Sequence, residues 1–246
     1  MEKSSPSRVN RTHDEFYLEI PAGNEPKDSF KSSADLLEKL LGPGLVGREV
    51  LDAGCAVGHF PHYLTTRFPE ANIEGLEYLP QLVSKSKELF PDLTIREGSI
   101  FDGNPSNEGR FDAITLLGVL QIFDDITPII SNLGSWLKRP GGVLLVHGLF
   151  NPFDFDVFTR YRKAGEGAAS EMENGWNIVS QQTFATVCEI AGAQSVIFHK
   201  FDISVDLAPN EIDPVRSWTE KLENGERQIV NGLHIRQPQY IAEVVF

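Results

Sequence analysis

The chain is short of several things, and each shortage excludes a class of protein. Two cysteines, Cys55 and Cys188, in 246 residues cannot build a disulfide framework, so a buried core and a reducing setting are expected. No apolar run approaches the roughly 18 residues of a membrane span, and the basic residues near the N-terminus have no apolar stretch behind them. Neither a transmembrane helix nor a secretory leader is therefore expected. Basic residues are in deficit: 22 against 35 acidic ones leave a net charge of −13, which disfavours a surface that tracks nucleic-acid phosphates. Internal repeats and low-complexity tracts are missing as well. What remains is an ordinary globular composition, 41% hydrophobic and 23% charged, sufficient for one sizeable core. The expectation is a cytoplasmic protein, one domain over residues 1–246 with a polar N-terminal arm over 1–30.

Turn chemistry and changes of period divide the chain. Leu36, Leu37, Leu40 and Leu41 recur at helical spacing before Gly42-Pro43-Gly44, with Ser32 or Ser33 as the expected cap. From Glu49 short apolar runs alternate with longer amphipathic ones. Strands are predicted at 50–53, 72–76, 93–97, 111–116 and 143–147, and helices at about 58–68, 80–90 and 125–137. That rhythm is the signature of a doubly wound, mostly parallel α/β sheet. It fails over 151–177, an aromatic and charged stretch too long for a plain connector and placed where insertions cover a site. Beyond it Ser180 is the expected cap of a helix reaching Gly192, 195–203 reads as a strand, and Asn224-Gly225 marks a hairpin. With the β-prone run 240–246, these strands are expected to complete a seven-stranded sheet in antiparallel fashion.

The most informative segment is Val50-Leu51-Asp52-Ala53-Gly54-Cys55-Ala56-Val57-Gly58-His59-Phe60. A strand ends on an acid, the chain turns through Gly54, and Gly58 opens a helix, so main-chain amides and a close-approach surface are expected to face a ligand. The spacing, D-x-G-x-x-x-G, departs from the G-x-G-x-x-G dinucleotide fingerprint. Asp52 reads as a site residue, because an unpartnered carboxylate within an apolar strand is costly. Cys55 reads as a small loop residue whose backbone matters. Asp124-Asp125, just before a helix, reads as a cap and dipole partner, and no metal is expected.

Over roughly 49–150 the sequence resembles the class I S-adenosylmethionine-dependent methyltransferases, and the pieces follow in order. The glycine loop has the form of the family's first motif, which places cofactor contacts at Asp52, Gly54, Cys55 and Gly58. Glu77, closing Ile73-Glu74-Gly75-Leu76-Glu77, matches the acid that accepts hydrogen bonds from the ribose hydroxyls; Tyr78 beside it either borders the adenine or packs on the helix. Glu97-Gly98-Ser99-Ile100 matches the segment flanking the adenine, with Ser99 where the family more often has an acid. The run from Phe111 through Leu116, Leu117 and Gln121 resembles the fourth-strand motif, and Arg139-Pro140-Gly141-Gly142-Val143 the turn into the fifth.

The resemblance implies S-adenosyl-L-methionine as cofactor and methyl transfer to an oxygen or nitrogen of a small molecule, a carbohydrate or secondary metabolite being compatible. No nucleic-acid or membrane partner is expected; a homodimer is admissible. Ligands of open α/β sheets lie beyond the carboxyl ends of the strands, which puts the substrate over Gln121, Phe150 and Asn151, with the 151–177 segment as lid. His147, ending the fifth strand, is the candidate general base or else a hydrogen-bonded core histidine. Phe16 and Tyr17, isolated in a polar arm, suit a cap over the cofactor. Two other readings stay open: a non-catalytic protein that keeps the cofactor pocket, and an NAD-dependent oxidoreductase on the same sheet.

Overall fold

The computed structural model describes residues 12–21, 25–213 and 215–246, with side chains from residue 16 onward; the rest of the 1–30 arm lies outside the described residues. Five strands, β1 (Glu49–Ala53), β2 (Asn72–Glu77), β3 (Thr94–Glu97), β4 (Ala113–Leu117) and β5 (Val143–Asn151), run parallel in the order 3-2-1-4-5. The sheet continues through β7 (Gln239–Val245), antiparallel to β5, to β6 (Ser195–Lys200) at its edge. β6 is antiparallel to β7 and so parallel to the rest, which leaves β7 as the one reversed strand along this path. An eighth short strand, Val179–Ser180, pairs with the end of β5. The Asn224-Gly225 turn does form a hairpin, but its strands, Trp218–Lys221 and Arg227–Val230, make a sheet of their own instead of joining the main one.

Helices α1 (Asp28–Leu41), α2 (His59–Arg67), α3 (Pro80–Leu89), α4 (Thr127–Trp136) and α5 (Gln181–Ile190) cover the sheet. α1 starts at Asp28, a turn earlier than the serines suggested: Ser33 is fully buried inside the helix, among Ala34, Leu36 and Leu37. The acid in the first turn favours that start through the helix dipole, although no side chain caps Lys27. α5 behaves as expected, with Ser180 Oγ accepting from the Gln182 amide at 3.1 Å. Two apolar layers result. One packs Trp136, Phe150 and Phe184 between the sheet, α4 and α5; the other packs α1 and α2 on the opposite face through Leu37, Phe60 and Leu64. Among the described residues no helix is long and apolar enough to cross a membrane.

The register at the amino-terminal edge is locked by Asp112. Its carboxylate accepts from the Glu49 amide (2.9 Å) and pairs with Arg48 (3.1 Å) and Lys138 (2.6 Å). Burial alone would raise its pKa, but bonds from Lys138, the Glu49 amide and Arg48 outweigh that and hold it below the usual carboxylate value. Such a group stabilises the fold above its unfolded pKa and loses that contribution as pH falls through its folded one. Asp112→Asn should therefore cost about 1–2 kcal/mol at neutral pH, both cations being partly exposed. The gap to the wild type in urea titrations should close as pH drops below about 4.

Candidate functional site

The carboxyl ends of β1 to β4 open into one large cavity of about 1680 Å³. Its floor is the turn after β1. Gly54 lies at φ +72°, and a Cβ there would stand 2.6 Å from Cγ2 of Val119, so both the backbone and the contact demand glycine. Gly58, at φ +87°, caps α2 without lining the cavity; a Cβ there would meet Ser86 Oγ at 2.8 Å. Gly54, Cys55 and Ala56 do line it.

The amides of that turn are spent within the protein. Gly54 and Cys55 both donate to the Leu76 carbonyl (2.7 and 3.1 Å), Gly58 donates to Cys55 (3.0 Å), and Ala56 donates to Glu77 Oε2 (2.9 Å). The outward row of donors expected from the sequence is thus absent at these four positions, and the turn offers a surface of small residues instead. Glu77 is the tie. Its other oxygen accepts from the Leu79 amide at 2.8 Å, so one buried carboxylate joins the turns after β1 and β2 and faces the cavity in a fixed orientation. Ala56 is held at φ +50°, a conformation alanine rarely adopts and one the Glu77 bond helps to maintain.

Asp52, nearly inaccessible but part of the wall, accepts from Thr115 Oγ1 at 2.7 Å. Burial raises its pKa, the nearby Glu77 charge adds to this, and the Thr115 bond opposes it; the outcome is about 7. Tyr78 is exposed and Ile100 buried, and both line the cavity beside Ser99, whose hydroxyl accepts from the Phe101 amide at 3.0 Å. Leu117 lines it too, whereas Leu116, one residue earlier and on the other face of β4, is in the core. Asp102 also faces the cavity, three positions after the serine that replaces the family's usual acid.

The residues expected around the substrate are placed elsewhere. His147 is not among the lining residues: its ring meets Phe201 edge-on at 5.0 Å, and its Nε2 is buried without a partner. Burial, reinforced by the Lys27 charge and opposed by a hydrogen bond to Gln239, pushes its pKa down to about 4. Gln121 is buried over Gly148, where even a Cβ would strike it. Phe150 is fully buried against Phe184 and Phe198 at 5.0 and 5.2 Å. Asn151 closes a local turn, donating to Phe155 O and accepting from the Phe153 amide. None of these three lines the cavity. Asp124 is held by Arg160 and Asn177, and Asp125 caps the entry to α4 by accepting from the Thr127 amide at 2.9 Å.

The walls come from distant segments. Phe16 and Tyr17 lie along the cavity, followed by Lys27 and Phe30. From the other end of the chain come Trp176, Asn210, Ile212 and Arg216. Trp176 Nε1 donates to Val215 O at 3.3 Å, fixing Arg216 at the rim. Of the 151–177 segment, Trp176 is the one described residue that lines the cavity. No local pattern marks Lys27 or Arg216, each a single cation in unremarkable sequence. His59 and His62 line the cavity from α2, with both rings against Phe90. No group of three or more metal-ligating side chains occurs among the described residues.

A family model described as a methyltransferase domain matches residues 27–196. A trans-aconitate 2-methyltransferase of Deinococcus radiodurans is 31% identical over 121 residues, 49% of this chain and 45% of that protein. A malonyl-[acyl-carrier protein] O-methyltransferase of Halalkalibacterium halodurans is 29% identical over 131 residues, 51% and 46% respectively. The matches thus span about half the length of these curated relatives. Among solved structures, an amino pentose methyltransferase from Micromonospora echinaspora, with S-adenosylmethionine bound, aligns at TM-score 0.56 and 16% identity over 95% of this chain and 97% of the other. A TehB-like S-adenosylmethionine-dependent methyltransferase from Corynebacterium glutamicum gives 0.56 and 19% over 96% and 99%. At such identities these two likenesses concern the fold.

Because the Asp52 pKa is raised on folding, its contribution to stability is complete below its unfolded value near 4 and is lost as pH rises through about 7. Thermal melts of wild type and Asp52→Asn should therefore diverge with rising pH, the wild type losing stability relative to the variant up to about pH 7.

Proposed function

The chain belongs to the methyltransferase-domain family, in its class I, S-adenosylmethionine-dependent form, and we propose that it methylates a small-molecule acceptor in the cavity above β1 to β4. The observation that carries this reading is the Glu77 tie. A carboxylate fixed by the amides of Ala56 and Leu79, and facing the cavity, is a ready acceptor for a pair of vicinal hydroxyls. The residues present fit the cofactor in two further ways. The turn at Gly54, Cys55 and Ala56 presents only small residues to the cavity, and Asp52, Glu77, Glu97 and Asp102 give the strand-end side an acidic character suited to a cationic ligand.

The cofactor supplies a methyl group on a positively charged sulfur, whose departure neutralises it. Orientation then matters more than charge stabilisation, and the chain supplies it with walls. Phe16, Tyr17 and, from the 151–177 segment, Trp176 supply aromatic wall to the cavity. At about 1680 Å³ the cavity exceeds the roughly 300–1,000 Å³ of ordinary ligand pockets and has room for a second molecule. The two free, buried thiols suit a reducing cytoplasm.

Adenosylhomocysteine should raise the melting temperature, corresponding to about 2.7 kcal/mol at a hundred times its Kd, and NAD should not. Transfer of label from S-adenosylmethionine to a member of a metabolite panel is the activity readout; failure of both adenosyl compounds to bind would reject the assignment. Glu77→Gln keeps the size of the side chain but removes its charge and replaces one of the two acceptor oxygens by a donor, so one amide bond of the tie is lost as well. It should weaken adenosylhomocysteine by about 1.5–3 kcal/mol in calorimetric titrations.

A further inference from the structure

The cavity that carries these acids is also lined by two cations, Lys27 and Arg216, from distant segments of a chain whose net charge is −13. Neither has a carboxylate partner among the described residues, although Glu19 and Glu25 lie along the same cavity. Lys27 is enclosed by the walls while its surface stays open to the cavity, with its ammonium over the rings of Phe30 (5.3 Å) and Tyr17 (6.0 Å). Burial, and secondarily the Arg216 charge, bring its pKa down to about 8. Two cations that face one hollow and repel each other are a standing electrostatic cost, which an anion between them would offset.

The position of Arg216 indicates which ligand brings the anion. Trp176 holds the Val215 carbonyl, and the neighbouring Asn177 is bonded to Gln121 O (2.9 Å) and Phe123 O (3.1 Å) in the turn after β4. The backbone next to Arg216 is thereby tied, through Trp176 and Asn177, to the turn after β4. Resting on the proposed methyl transfer, we propose that the acceptor is a carboxylic acid docked through its carboxylate between Arg216 and Lys27. The planar guanidinium matches a carboxylate in bidentate fashion, and the ammonium adds a point charge. This docking sets the acceptor's orientation and selects against neutral and cationic analogues.

The test uses the full chain saturated with adenosylhomocysteine and a panel of small mono-, di- and tricarboxylic acids, their amides, and phosphate monoesters. At least one acid should bind by calorimetry, with its amide weaker by about tenfold or more. Arg216→Gln and Lys27→Gln should each weaken that acid by about tenfold or more, with Arg216→Gln changing adenosylhomocysteine affinity by less than about twofold. The proposal is overturned if no acid binds at millimolar concentration, if amides or phosphate esters bind as well as acids, or if acid affinity ignores both variants. It is also overturned if both variants weaken adenosylhomocysteine instead, since the cations would then hold the cofactor's own carboxylate. A wild type that binds adenosylhomocysteine but takes up only neutral ligands leaves the methyltransferase reading standing. A wild type that binds no adenosyl compound removes both.

Discussion

The site depends on one buried carboxylate. Glu77 ends β2 with its oxygens taken by amides from two different turns, that of Ala56 after β1 and that of Leu79 after β2. Without it the β1 turn would have an unpaired amide and Ala56 would have less reason to remain at positive φ. The same turn is pressed from the side by Val119 and leaves its remaining donors on Leu76 and Cys55. The cradle is therefore built from backbone already satisfied by the protein, and ligand recognition falls to side chains. That division of labour gives a rigid floor that pays no ordering entropy when a ligand arrives.

Above that floor the cavity has two chemical characters. The strand ends contribute acids, because β1, β2 and β3 each close on or near one, at Asp52, Glu77 and Glu97. The two cations arrive on segments outside the parallel core, one just ahead of α1 and one between β6 and β7. A shared α/β scaffold can hold a fixed cofactor end in this way while the appended segments set the acceptor. Three of the cavity's aromatic residues, Tyr17, Phe30 and Trp176, are likewise from outside the sheet. Each sits within reach of a cation or of the backbone that carries one.

Reading the sequence succeeded where structure is local and failed where it depends on parity or on distant neighbours. The five parallel strands were legible because a buried strand between amphipathic helices leaves its mark in successive residues, and the glycine loop because φ and close contact restrict it to glycine at Gly54. The start of α1 was misjudged because Lys27 carries no capping bond and the serines that resemble caps are interior. His147, at a strand end, reads from the sequence either as a base or as a hydrogen-bonded core histidine, and the alternation of strand faces decides for the core. His147 turns toward Phe201 while Gly148 makes room for Gln121, so neither side chain reaches the cavity. The antiparallel run at β7 and the hairpin at Asn224-Gly225 were expected, but that β6 runs parallel to the core and that the hairpin pairs apart from the main sheet were not, because the choice and direction of partners are not encoded in a single strand.

By itself the sequence determined the class of fold and the turn between Asp52 and Gly58, since each follows from periodicity or from a steric demand within a few residues, while the acid at Glu77 was singled out by the family resemblance. Tertiary structure alone decided what joins them. Lys27, Trp176 and Arg216 share a cavity because α1 packs under the sheet and the chain beyond β5 and β6 folds back over the strand ends. Their meeting is a consequence of topology, and nothing in the residues flanking any one of them announces the other two.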